Sequence, residues 1–131
     1  MRYLLDTSVW LWSLSNPDLI NKEARRLLED GREELYLSAA SSWEISIKSS
    51  LGKLRLPEPC AIFVPKRLAA QGIRSLPITH THALGVSNLP PRHSDPFDRL
   101  LVAQAQAEGM AILTADRAFK RYGVEVFWCG S

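Results

Sequence analysis

The 131-residue sequence predicts an α/β fold, a mostly parallel sheet of about five strands covered by helices. Three observations carry that expectation. Short apolar runs rich in β-formers alternate with longer segments of helical spacing. Glycine and proline fall at the junctions between them. Asp6 and Asp116 stand just past two of the apolar runs, and open parallel sheets bind ligands beyond the carboxyl ends of their strands.

Residues 3–5 form the first expected strand, which stops at Asp6. Residues 21–30 read as a helix, with Ala24, Leu27 and Leu28 on one face and Gly31 just past its end. A second strand at 35–37 leads into a serine-rich stretch, where Ser41 or Ser42 can cap a helix running through Trp43, Ile47 and Leu51 to Gly52. A further helix lies within 59–71 and either starts near Pro65 or kinks there. Residues 73–78 make a third strand, and Thr79 can cap a short helix through Leu84. Pro90-Pro91 reads as a rigid loop before the strongest helix start in the chain, His93-Ser94-Asp95-Pro96-Phe97-Asp98. There Asp95 is the cap and Pro96 the first helical residue. Strands at 111–114 and 124–128 complete the sheet, with Asp116 able to cap the segment 117–122 between them.

Composition narrows the function classes. Hydrophobic residues make up 46% of the chain and charged residues 23%, ordinary globular usage that disfavours a disordered or fibrous protein. Asp6 interrupts the N-terminus before a signal-peptide core can develop, and no apolar run approaches a membrane span, so a soluble cytoplasmic protein is expected. Cys60 and Cys129 are isolated thiols without metal-site spacing. The formal net charge of +2 is small, but committing four acids to a metal site would leave ten acids against sixteen bases, a surface suited to a polyanion.

The acids are the candidate chemistry. Asp6 and Asp116 belong to one rim of the sheet if their strands are parallel, although each could instead serve a turn or a cap. Asp98 falls on the stripe shared by Leu101, Val102 and Ala105, an expensive place for a carboxylate without a positive partner. Glu44 and Lys48 are four residues apart, as in an exposed helical ion pair. Lys48, Lys53, Arg55, Arg92, Arg117, Lys120 and Arg121 flank these segments and could track an RNA backbone. Arg99 could contact phosphate or pair with Asp95. Trp10, Trp12 and Trp43 could stack bases or serve core and interface packing.

Five strings in order resemble a known family: Leu4-Leu5-Asp6-Thr7-Ser8, Trp43-Glu44-Ile45-Ser46-Ile47-Lys48, Leu51-Gly52-Lys53-Leu54, His93-Ser94-Asp95-Pro96-Phe97-Asp98-Arg99 and Ile112-Leu113-Thr114-Ala115-Asp116. Together they are similar to the PIN domain and, more narrowly, to the VapC-type toxins of toxin–antitoxin pairs. The resemblance implies a single three-layer α/β/α domain over 1–131 and a catalytic quartet of Asp6, Glu44, Asp98 and Asp116. It implies an endoribonuclease in which Asp6, Asp98 and Asp116 hold Mg²⁺ or Mn²⁺, with Thr7, Ser8, Asp95 and Thr114 in outer hydrogen-bonding roles. Arg117, Ala118, Phe119 and Lys120 follow Asp116, where family sites often carry another acid or an Asn for a second ion. The partners implied are RNA, an antitoxin whose tail occupies or distorts the acidic groove, and a second copy of the chain.

Two other classes compete. A PIN-like module could bind RNA or protein without cutting, but it would not need all four acids. A phosphoacceptor receiver domain would want an early acidic pair and a late lysine, whereas Asp6 is single and Arg117 follows Asp116.

Overall fold

A computed structural model describes residues 1–91 and 95–131, so Arg92, His93 and Ser94 lie outside the described residues. Five strands, β1 (Arg2–Leu5), β2 (Glu34–Ser38), β3 (Arg74–Leu76), β4 (Ala111–Thr114) and β5 (Val126–Trp128), form one sheet in the order β3-β2-β1-β4-β5. Every adjacent pair is parallel. The α/β expectation holds. Strand order reverses between β1 and β4, where Leu5 pairs with Leu113. Asp6 and Asp116 therefore leave neighbouring strands on the same rim of the sheet.

Alternation along β1 sends Tyr3 and Leu5 into one half of the core and Leu4 into the other. The first half is packed by α1 (Thr7–Ser15), α2 (Lys22–Asp30) and α4 (Cys60–Gln71) through Val9, Trp10, Ala24, Phe63 and Leu68. The second is packed by α6 (Pro96–Glu108) through Leu101, Val102 and Ala105, with Phe119 and Tyr122 from the 3₁₀ segment Arg117–Tyr122. In the chain α3 (Ala39–Ser50) lies between α2 and α4, and the short α5 (His80–Gly85) between α4 and α6. Three layers result.

Helix α1 was not expected from the sequence. Its four Ser and Thr residues are scattered among five apolar ones, and a helix without a distinct polar face lacks the periodicity that identifies one. Helix α3 starts earlier than the Ser41 or Ser42 cap predicts. Ser38 caps it, accepting from the Ala40 amide at 2.9 Å, while its own hydroxyl donates to the buried Gln104 on α6. That anchor fixes the phase in which α3 presents Glu44. Helix α4 starts at Cys60 and runs through Pro65, with Phe63, Val64 and Leu68 buried around the lost hydrogen bond. The 3₁₀ segment after β4 is capped by Asp116, whose Oδ1 accepts from the Ala118 amide at 2.9 Å.

Helix α6 begins as its sequence predicts. Asp95 Oδ1 accepts from the Phe97 and Asp98 amides at 2.9 and 3.3 Å, with Pro96 as the first helical residue. Gly109, at φ 67°, ends the helix in the left-handed conformation that lets the chain turn directly into β4. Loss of such a cap costs about 1 kcal/mol. Thermal unfolding of Asp95→Ala is expected about 3 to 5 °C below that of Asp95→Asn, which caps equally well and removes the same charge.

Candidate active site

One cleft at the carboxyl rim of the sheet is lined by Asp6, Glu44, Asp98 and Asp116 together with Thr7, Ser8, Trp12, Lys48, Asp95 and Ala115. The four acids come from four places in the chain. Asp6 follows β1, Glu44 sits in α3, Asp98 in the first turn of α6, and Asp116 just past β4. Asp6 and Glu44 are both only 7% exposed, whereas Asp98 is half-buried and Asp116 exposed.

Thr114 joins the two strand-end acids. Its buried hydroxyl donates to Asp6 Oδ2 at 2.7 Å and accepts from the Asp116 backbone amide at 3.0 Å. Thr114 itself stands behind Asp6 and does not line the cleft. Thr7, buried at the first turn of α1, donates to Ser41 Oγ at 2.7 Å and so ties α1 to α3. Ser8 and Trp12, one helical turn apart on α1, share the cleft wall.

The Glu44–Lys48 pair differs from the exposed helical pair that its spacing suggests. Glu44 shares a helix face with the buried Ser41 and Ile45, so its carboxylate is enclosed. Lys48 Nζ approaches Glu44 Oε2 to 2.6 Å from the solvent side. Hydrogen bonding to Glu44 holds the Lys48 ammonium above its ordinary pKa, and the charges of Glu44, Asp95 and Asp98 add to that.

Burial and crowding raise Asp98 and Asp6. Asp98 is pushed up to about 8, mainly by burial and then by the charges of Asp6, Asp95, Glu44 and Asp116. Asp6 rises to about 6 through burial, partly offset by the Thr114 hydroxyl and reinforced by Asp116 and Glu44. These carboxyls feel one another, and each resists ionisation where it stands.

Two sequence candidates lie elsewhere. Arg99 donates to the carbonyls of Pro90, Val86 and Leu89 at 2.9, 3.2 and 3.4 Å, clasping the preceding loop against α6. It does not line the cleft. Arg117 lies over the Trp128 ring, 5.5 Å from its centroid, and is likewise outside the lining. Trp10 is a core residue whose Nε1 donates to Gln71 at 2.8 Å. Trp12, which the sequence offers for stacking or packing, lines the cleft, whereas Ser41, a cap candidate in the sequence, lies inside α3 as the partner of Thr7.

The PIN domain matches residues 3–125 of this sequence. The chain belongs to the PIN domain family. It is 46% identical over 65 residues to a Mycobacterium tuberculosis protein named Ribonuclease VapC16, a match covering 50% of this chain and 45% of that protein. The chain thus matches under half the length of that relative. It is 28% identical over 120 residues to Ribonuclease VapC22 of the same organism, covering 91% of this chain and 90% of the other. Its fold is that of a chain in the VapBC2 crystal structure from Rickettsia felis, bound to a promoter DNA fragment. The TM-score is 0.74 at 16% identity, covering 98% of this chain and 99% of that one.

Raised carboxyl pKa values make the divalent-free protein pH-sensitive in a defined direction. The folded state retains protons on Asp98 and Asp6 that the unfolded state, near its ordinary 3.8, has released. Stability in EDTA is therefore greatest below about pH 4 with respect to these groups and falls as pH rises toward about 8. Asp98→Asn removes most of that slope. At pH 8 without divalent ions it is expected to melt a few degrees above the parent, roughly the effect of 1 kcal/mol after allowing for solvent screening. Thermal melts of both proteins across this pH range make the check.

Proposed function

We propose that this PIN domain is a divalent-metal-dependent endoribonuclease that hydrolyses RNA phosphodiester bonds as the toxin of a toxin–antitoxin pair. The observation that carries the reading is the convergence of Asp6, Glu44, Asp98 and Asp116 in one cleft at the reversal point of a parallel sheet. Buried carboxylates crowd together only where protons or cations relieve them. Among the described residues every charged acceptor in the cleft is an oxygen and its lining holds no histidine or cysteine, a donor set that suits Mg²⁺ or Mn²⁺. Among the described residues no trio of acids is arranged to hold an ion unaided, so water would complete the coordination, as Mg²⁺ prefers.

Asp6, Asp98 and Asp116 would hold the ion. Bound there, it would supply Lewis acidity toward water and the phosphate oxygens. Glu44, kept in place by Lys48, orients the attacking water toward phosphorus. Thr114 fixes Asp6 by its hydrogen bond, and Thr7 and Ser8 offer hydroxyls to cleft waters. The water oxygen forms the new P–O bond as one ester P–O bond breaks, giving free hydrolysis products without a covalent enzyme intermediate.

The names of the relatives support RNA as substrate and a VapB-type antitoxin as partner. A homodimer and a cytoplasmic location complete the proposal. No helix among the described residues is long and apolar enough to cross a membrane.

RNA cleavage in Mg²⁺ or Mn²⁺ is expected, with EDTA abolishing it. Asp6→Asn and Asp98→Asn should each lose more than the roughly 10- to 100-fold typical of an outer hydrogen-bonding partner, with unchanged circular dichroism. Cleavage that persists in both variants would sink the metal-nuclease reading. Thr114→Val, which keeps the shape but removes the hydroxyl from Asp6, should fall within about 10- to 100-fold of the parent, as judged by kcat/KM on the same RNA.

A further inference from the structure

The rings of Trp43 and Phe97 meet edge to face with centroids 5.3 Å apart. Trp43 immediately precedes Glu44 on α3, and Phe97 immediately precedes Asp98 on α6. The pair therefore joins the two helices that deliver those acids. Trp43 keeps 58% of its surface exposed, and neither ring belongs to either half of the hydrophobic core. Neither ring lines the cleft itself, but each is the residue before an acid that does, and core packing does not account for an indole left this open there.

The charge of the cleft indicates what such a surface is for. Among the described residues its lining carries Asp6, Glu44, Asp95, Asp98 and Asp116 with one cation, Lys48, which already lies 2.6 Å from Glu44. Nucleic-acid affinity ordinarily comes from lysine and arginine on phosphates. Here the lining opposes a polyanion except where bound cations offset it. Stacking has no such conflict, because every base presents a neutral π-face to an aromatic ring.

We propose that Trp43, buttressed by Phe97, is a stacking platform for one unpaired base of the RNA next to the scissile phosphate. This deepens the ribonuclease reading above and rests on it. Trp43 supplies the open face, while Phe97 fixes the ring in one orientation. A base inside a duplex has both faces covered by its neighbours and cannot use the platform. The substrate is accordingly a single strand or a loop.

The test measures kcat/KM on a single-stranded RNA oligonucleotide that the parent cuts once, and on copies each carrying one abasic ribose. Trp43→Ala should lose about 5- to 150-fold on the intact strand, the range that one stacked base supplies. Trp43→Phe, still aromatic, should recover most of that loss. One abasic position should slow the parent by a similar factor, and on that strand Trp43→Ala should lose nothing further. A Trp43→Ala protein that cuts as fast as the parent overturns the platform while the ribonuclease reading stands. So does an equal loss on every abasic strand. If light scattering shows a parent dimer that Trp43→Ala dissociates, the ring belongs to an interface between copies and the platform fails. A parent that cuts no RNA with either metal defeats the ribonuclease reading first, and the platform with it.

Discussion

Two neighbouring parallel strands end in acids, and a single buried hydroxyl ties those ends together. Thr114 donates to Asp6 and accepts from the Asp116 amide, so the rim of β1 and the rim of β4 form one polar unit. The rest of the site depends on this bridge. Because Thr114 stands behind Asp6, it holds the buried carboxyl without occupying the space that a ligand would use.

The helices complete what the strands begin. Ser38 and Gln104 lock the start of α3 to α6, and the turn of α3 that follows carries Glu44 to the cleft. Asp95 caps α6 and thereby sets Asp98 in the first turn on the inward stripe. Glu44 has Lys48 as a counterion, and burial and neighbouring carboxylates raise Asp98. Of the acids that Lys48 serves, the structure thus favours Glu44. Burial and crowding hold Asp6 and Asp98 toward their protonated forms.

Much of this was legible in the chain. Strand ends at Asp6 and Asp116, the Asp95-Pro96 helix start and the inward register of Asp98 all follow from local rules that tertiary packing did not override. Glu44 was ambiguous because an i,i+4 spacing to Lys48 is the same on an exposed face and at a cleft. Only the packing of Ser41 and Ile45 beside it settles which face is enclosed. Helix α1 was hidden by the scatter of its Ser and Thr among apolar residues, and with it the turn that brings Trp12 beside Ser8. Arg99 shows the converse: its position beside the acidic motif suggested phosphate, but its length and fork of donors serve three loop carbonyls. Long side chains are poorly located by sequence proximity.

The central claim is that the crowded carboxyls form a divalent-cation site, and proton release on binding tests it most directly. Mn²⁺ titration by calorimetry near pH 7, repeated in buffers of different ionisation enthalpy, counts the protons displaced. With Asp98 raised to about 8, saturable binding should release about one proton per site, and Asp98→Asn should abolish that release. Absence of saturable binding, or binding with no proton released from the parent protein, would contradict the account.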